Sequence, residues 1–98
     1  MNPNAQALLD ELMKVFDGGN VEYQFANSLH GYRLQHAGPT HWLYVAEEFI
    51  EDHTLAELLT SLYKLGIPEE FRGSRDSRWI FLGEEGVREV DDRFGRGL

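Results

Sequence analysis

The chain contains no cysteine. Disulfides, zinc–thiolate sites, iron–sulfur ligation and cysteine nucleophiles are therefore excluded together, and the redox compartment is left open. No apolar run approaches the roughly 20 residues needed to cross a bilayer. The opening Met1-Asn2-Pro3-Asn4 lacks the basic region and apolar stretch of a signal peptide. A cytoplasmic protein with no membrane partner is the resulting expectation. Catalytic signatures are missing as well. Ser28, Ser61, Ser74 and Ser77 lie in no Gly-x-Ser-x-Gly turn, no His-Glu-x-x-His helix is present, and no glycine-punctuated Asp/Asn series forms a calcium loop. The expectation is a protein that is not an enzyme and carries no cofactor.

Basic residues are scarce over most of the length. Residues 1 to 71 hold eleven acids against Lys14, Arg33 and Lys64, which accounts for the whole net charge of -8. Residues 72 to 98 balance six acids with six arginines. An acidic body disfavours direct contact with nucleic acid or anionic membrane, and favours a basic protein partner or simple solubility.

With 98 residues, 42% of them hydrophobic, the chain suits a single domain spanning residues 1–98 and is too short for two independent cores. Ala5, Leu8, Leu9, Leu12, Val15 and Phe16 recur at helical spacing, with Asn2 before Pro3 as an N-cap and Gly18-Gly19 as a terminator; this predicts a helix over residues 3–17. Val21, Tyr23 and Phe25 alternate with polar residues, as in a strand over 21–26. After the Asn27-Ser28 turn signal, His30 to His36 resumes alternation. Residues 39–53 read two ways. Trp42-Leu43-Tyr44-Val45 suits a buried strand, while Trp42, Val45, Ala46, Phe49 and Ile50 also fit a helical stripe.

Thr54 followed by Glu57 is a capping box, and it opens a helix with Leu55, Leu58, Leu59, Leu62 and Leu65 as its apolar stripe and Gly66 with Pro68 as its end. Residues 68–71 suit a single helical turn, and Gly73 to Ser77 a polar loop. Trp79-Ile80-Phe81-Leu82 is predicted as a last strand bounded by Gly83 and Gly86, and Val87, Val90 and Phe94 as a short closing helix. The tail Gly95 to Leu98 is expected to fray. The sum is an α+β fold of order α-β-β-β-α-β-α, two amphipathic helices on a mainly antiparallel four-stranded sheet. Its expected core is Leu8, Leu12, Val15, Phe16, Tyr23, Phe25, Leu34, Leu43, Val45, Leu58, Leu59, Leu62, Ile80 and Leu82. Trp42 and Trp79 suit either core or interface, because a buried indole N–H needs a partner.

Three constellations carry chemistry. His36 and His41 flank the Gly38-Pro39 turn, but two imidazoles do not make a zinc site, and no metal is expected. Glu47, Glu48, Glu51 and Asp52 form the densest acidic run, with Phe49 and Ile50 set inside it. This run reads either as a solvated surface or as a negative docking patch in which Phe49 takes part, although burial of both apolar residues against the strands is the stronger expectation. Arg72, Arg75 and Arg78 recur at three-residue intervals and could hold a phosphate or carboxylate. Pairing with the chain's own acids is the preferred alternative.

The leading functional expectation is a non-catalytic adaptor or inhibitor that docks a basic surface of a partner protein, competing with nucleic acid as a charge mimic if that partner handles nucleic acid. A dimeric structural subunit or secretion-type chaperone shielding an apolar client segment is a second possibility, by analogy of fold alone. A protein that uses Arg75 or Arg78 to hold an anionic small molecule is a third.

Overall fold

The computed structural model describes residues 2–36, 38–91 and 93–94. The tail from Gly95 to Leu98, expected to fray, lies outside them. The elements in chain order are helix α1 (Pro3–Val15), strands β1 (Asn20–Ala26), β2 (Leu29–Gln35) and β3 (Thr40–Ala46), helices α2 (Glu47–Asp52), α3 (Leu55–Lys64) and α4 (Ile67–Gly73), and strands β4 (Trp79–Gly83) and β5 (Gly86–Val90). This is an α+β fold with a mostly antiparallel sheet. Among the described residues the sheet has five strands rather than four, and there are four helices rather than three.

Local chemistry accounts for the ends of the helices. The Asn2 side chain accepts hydrogen bonds from the N–H groups of Asn4 (2.7 Å) and Ala5 (3.2 Å), so α1 starts where a capping oxygen satisfies two otherwise orphaned donors. Thr54 accepts from the Glu57 N–H at 3.2 Å while the Glu57 carboxylate accepts from the Thr54 N–H at 2.8 Å, completing the reciprocal box that opens α3. Gly66, at φ 70°, turns the chain from α3 into α4 in a conformation that a side chain would strain.

The strands lie in the order β1-β2-β3-β4-β5. Asn27 (φ 53°) and Ser28 (φ 60°) form the left-handed two-residue turn that the twist of a β1–β2 hairpin favours. β3 and β4 pair in parallel, because α2, α3 and α4 carry the chain back across one face of the sheet before β4 begins. The ambiguity over residues 39–53 resolves into both alternatives in succession, a strand to Ala46 and a helix from Glu47.

The predicted closing helix is strand β5. Gly83 and Gly86 pair directly, so Glu84-Glu85 is the turn of a hairpin. Val87 and Val90, read as one helical stripe, point to opposite faces of an edge strand and carry no usable period.

Register places Tyr23, Tyr32, Leu43 and Ile80 in one row across the sheet, with Phe25, His30, Val45 and Leu82 in the next row on the same face. This face packs against Ala5, Leu8, Leu12 and Phe16 of α1, Phe49 and Ile50 of α2, Leu58 and Leu62 of α3, and Ile67 and Phe71 of α4. Phe25, expected in the core, is 47% exposed because β1 is an edge strand and, among the described residues, no element closes over its end. Val15, Tyr23 and Leu59 are only half-buried. Tyr32, Ile67 and Phe71, unassigned from sequence, are buried. No described helix is long and apolar enough to cross a membrane.

Leu43 lies at the middle of the inner row, fully buried between Tyr32 and Ile80. Leu43→Ala should therefore lower unfolding stability by about 2 to 5 kcal/mol in urea titrations with an unchanged m-value. A loss below about 1 kcal/mol would place the centre of the core elsewhere.

Candidate functional site

The acidic run is brought to one end of the sheet by two tethers. The Glu47 N–H donates to the Ser28 carbonyl at 3.0 Å, which fixes the start of α2 to the β1–β2 turn. The Asn4 side-chain amide donates to the His53 carbonyl at 3.2 Å, holding the end of α2 to the start of α1. Inside this frame α2 buries Phe49 and Ile50 and turns its carboxylates outward. Glu48, Glu51 and Asp52 are exposed and Glu47 half-buried. Phe49 is 5% exposed and packs against His53 at 4.3 Å between ring centroids, so it serves the core and is not part of a docking surface.

The four carboxylates repel one another. Glu47 above all, with partial desolvation and then Asp52 and Glu48 adding to it, raises the Glu51 carboxyl above the ordinary range. None of the four forms an ion pair with another described residue. The ion pairs that do form involve Glu22, Glu70, Glu84, Glu89 and Asp91.

Beside α2 opens a hollow of about 420 Å³ lined by Asn2, Tyr23, Phe25, His30, Glu47 and Glu51. His30 is 4% exposed, its Nδ1 lies 2.6 Å from the Tyr23 hydroxyl, and the Phe25 ring rests against it at 4.7 Å. That contact is one hydrogen bond in which either the phenol or the imidazole N–H can be the donor, and His30 Nε2 has no partner. Burial lowers the proton affinity of His30, against the opposing pull of Glu47; burial and then Glu47 raise that of the Tyr23 phenol.

The three arginines do not converge. Arg72 donates to the Val15 carbonyl at 2.9 Å and lies over the Phe16 ring. Arg78 binds Glu89 and sits 3.5 Å from Glu70. Arg75 is exposed. The hollow next to Arg78 is also lined by Asp76, Glu89 and Asp91, which oppose an anion there.

The histidines flanking the Gly38-Pro39 turn do not pair either. His41 is opposite Leu34, is 1% exposed, accepts the Arg78 N–H at Nδ1 (3.1 Å) and stacks on Phe71, whereas His36 packs against Phe16. Among the described residues no three His, Asp or Glu side chains are gathered closely enough to hold a metal ion.

The face of the sheet opposite the helices was not singled out from sequence. Trp42 and Trp79 are adjacent on it, as are Tyr44 and Phe81. Phe94 rests against Tyr44 (5.4 Å) and Phe81 (5.2 Å), while Arg33 lies over Trp42 and Arg88 over Phe81. Both tryptophans are half-buried, and among the described residues no helix covers this face. The signal in the sequence was the alternation itself: a strand that turns Leu43 and Val45 inward must present Trp42 and Tyr44 on its other side.

Burial holds His30 and His41 neutral, with proton affinities below the usual value of about 6.5, and the Arg78 charge adds to this at His41. Above that pH both states of the chain leave them unprotonated and their contribution is fully present. As the pH falls through about 6.5 the unfolded chain binds protons that the fold refuses, so stability drops. The thermal midpoint should decline between about pH 7.5 and about pH 5.5, and His41→Gln should lower the midpoint while flattening its slope. A midpoint constant over that window would contradict the neutral assignment. No family model matches this chain, and comparisons with curated proteins and with solved structures find no match.

Proposed function

We propose that this chain is a non-catalytic, acidic protein-binding domain, an adaptor or inhibitor that docks a basic surface of a partner through the face centred on Glu47, Glu48, Glu51 and Asp52. One observation carries the reading. Apart from the exposed Arg75, the described arginines are engaged away from α2, over aromatic rings or on Glu22, Glu70, Glu89 and Asp91, and the carboxylates of α2 have no ion-pair partner among the described residues. Such a patch steers a basic partner at long range, and its effect decays with the Debye length of about 10 Å at 0.1 M salt. Where the partner handles nucleic acid, the patch competes with the phosphate backbone as a mimic of its charge.

A partner recovered at low ionic strength should lose affinity steeply as salt is raised from about 0.05 to about 0.5 M. Glu48→Lys combined with Glu51→Lys should weaken binding at least about tenfold, chiefly through the association rate. Unchanged affinity in the charge-reversed protein would refute the reading.

The aromatic face supports a second reading, a dimeric subunit or chaperone that covers the half-buried Trp42, Trp79 and Phe81 with a second copy or an apolar client segment, Tyr44 being already buried under Phe94. This reading predicts a homodimer by light scattering that persists in high salt and dissociates in Trp79→Ser. A monomer at about 0.1 mM protein would count against it.

A further inference from the structure

We propose that the hollow beside α2 is the receptor for a single arginine side chain of the basic partner, an inference that rests on the acidic docking face proposed above. The hollow, about 420 Å³, lies within the range of about 300 to 1,000 Å³ typical of sites that enclose a small group. Glu47 and Glu51, four residues apart on α2, share one side of that helix and both line the hollow. They place two acceptors where one planar guanidinium can meet both. Tyr23 and Phe25 line it from β1. Phe25 rests on His30 with one part of its ring and is 47% exposed with the rest, a large apolar surface left in water beside two carboxylates. A guanidinium laid on that ring covers it, gains from the ring's negative face and keeps its N–H edge free for the carboxylates.

His30 supplies an independent pointer to a ligand. It lines the hollow, is 4% exposed and has an Nε2 without a partner, a costly state for a buried polar atom. Since the hydrogen bond between Nδ1 and the Tyr23 hydroxyl can run in either direction, the imidazole can carry its hydrogen on Nδ1, donate to the phenol oxygen and leave Nε2 as an acceptor. An arginine seated on Phe25, whose ring centroid is 4.7 Å from the imidazole, brings N–H donors to that side of the site and selects this tautomer. Lysine fits less well, because its strongly hydrated ammonium group neither forks between two carboxylates nor stacks.

The test compares oligoarginine and oligolysine of equal length by calorimetry at low salt and about pH 7.5, with the tautomer of His30 followed by ¹⁵N NMR during titration with Nα-acetylarginine amide. The wild type should prefer oligoarginine by at least about threefold, and His30 should shift toward the Nδ1–H form. Phe25→Ser and Glu47→Gln, one at an exposed edge and one nearly isosteric, should each abolish the preference while circular dichroism stays native. Glu48→Lys with Asp52→Lys should weaken both peptides equally. Equal affinity for the two peptides, or a preference retained in Phe25→Ser, would overturn the arginine receptor. If the double charge reversal still weakened both peptides, the acidic docking face would stand without it. Failure of the wild type to bind either peptide would overturn both.

Discussion

The one-sided burial of the five-stranded sheet is the constraint on which the rest of this structure depends. Tyr32, Leu43 and Ile80 in one row, and Val45 and Leu82 in the next, must all turn toward the helices for a core to exist. A slip of one residue in β3 would carry Leu43 and Val45 to solvent and bring Trp42 and Tyr44 inward, so register is strongly specified. The Tyr32 hydroxyl reinforces it by donating to the Ala5 carbonyl at 2.9 Å, a buried bond that ties β2, the strand between β1 and β3, to α1. Because every described helix stands on the same face, the other face carries the aromatic band as a geometric consequence.

Electrostatics follows from that layering. Arg33 and Arg88, on the open face, lie over Trp42 and over Phe81 and Phe94, so their charges shield aromatic surface. Arg78 joins the loop after α4 to β5 through Glu89, with Glu70 at hand. Each exposed pair contributes at most about 1 kcal/mol. Their collective effect is on where charge remains. With these cations placed elsewhere, α2 holds its carboxylates in a cluster tense enough to raise Glu51.

The readable parts of the sequence were those whose cause is local. The Asn2 cap, the Thr54–Glu57 box and the Asn27-Ser28 turn each act within a few residues, and each lies where its chemistry predicts. β5 was missed because an edge strand with one apolar residue on each face has no period to detect. Phe25 was misplaced because alternation reveals which face a side chain takes, not whether anything closes over it. The arginine loop dissolved because spacing along the chain does not determine which partners lie within reach: Arg72 finds the end of α1, and Arg78 finds β5.

The acidic cluster on α2 was legible because its carboxylates are consecutive or nearly so. The hollow beside it was not, because it is assembled from Asn2, β1, β2 and α2, and only the tether from Glu47 to Ser28 brings these together. By itself, then, the sequence determined an acidic α+β chain free of thiol chemistry, its capped helices, its first two strands and the position of its acids, since composition and short-range backbone chemistry suffice for these. Only the tertiary structure decided which aromatics remain open, which arginines are engaged, and that Tyr23, Phe25 and His30 stand beside Glu47 and Glu51. Those relations depend on strand order and on the packing of distant segments against one shared core.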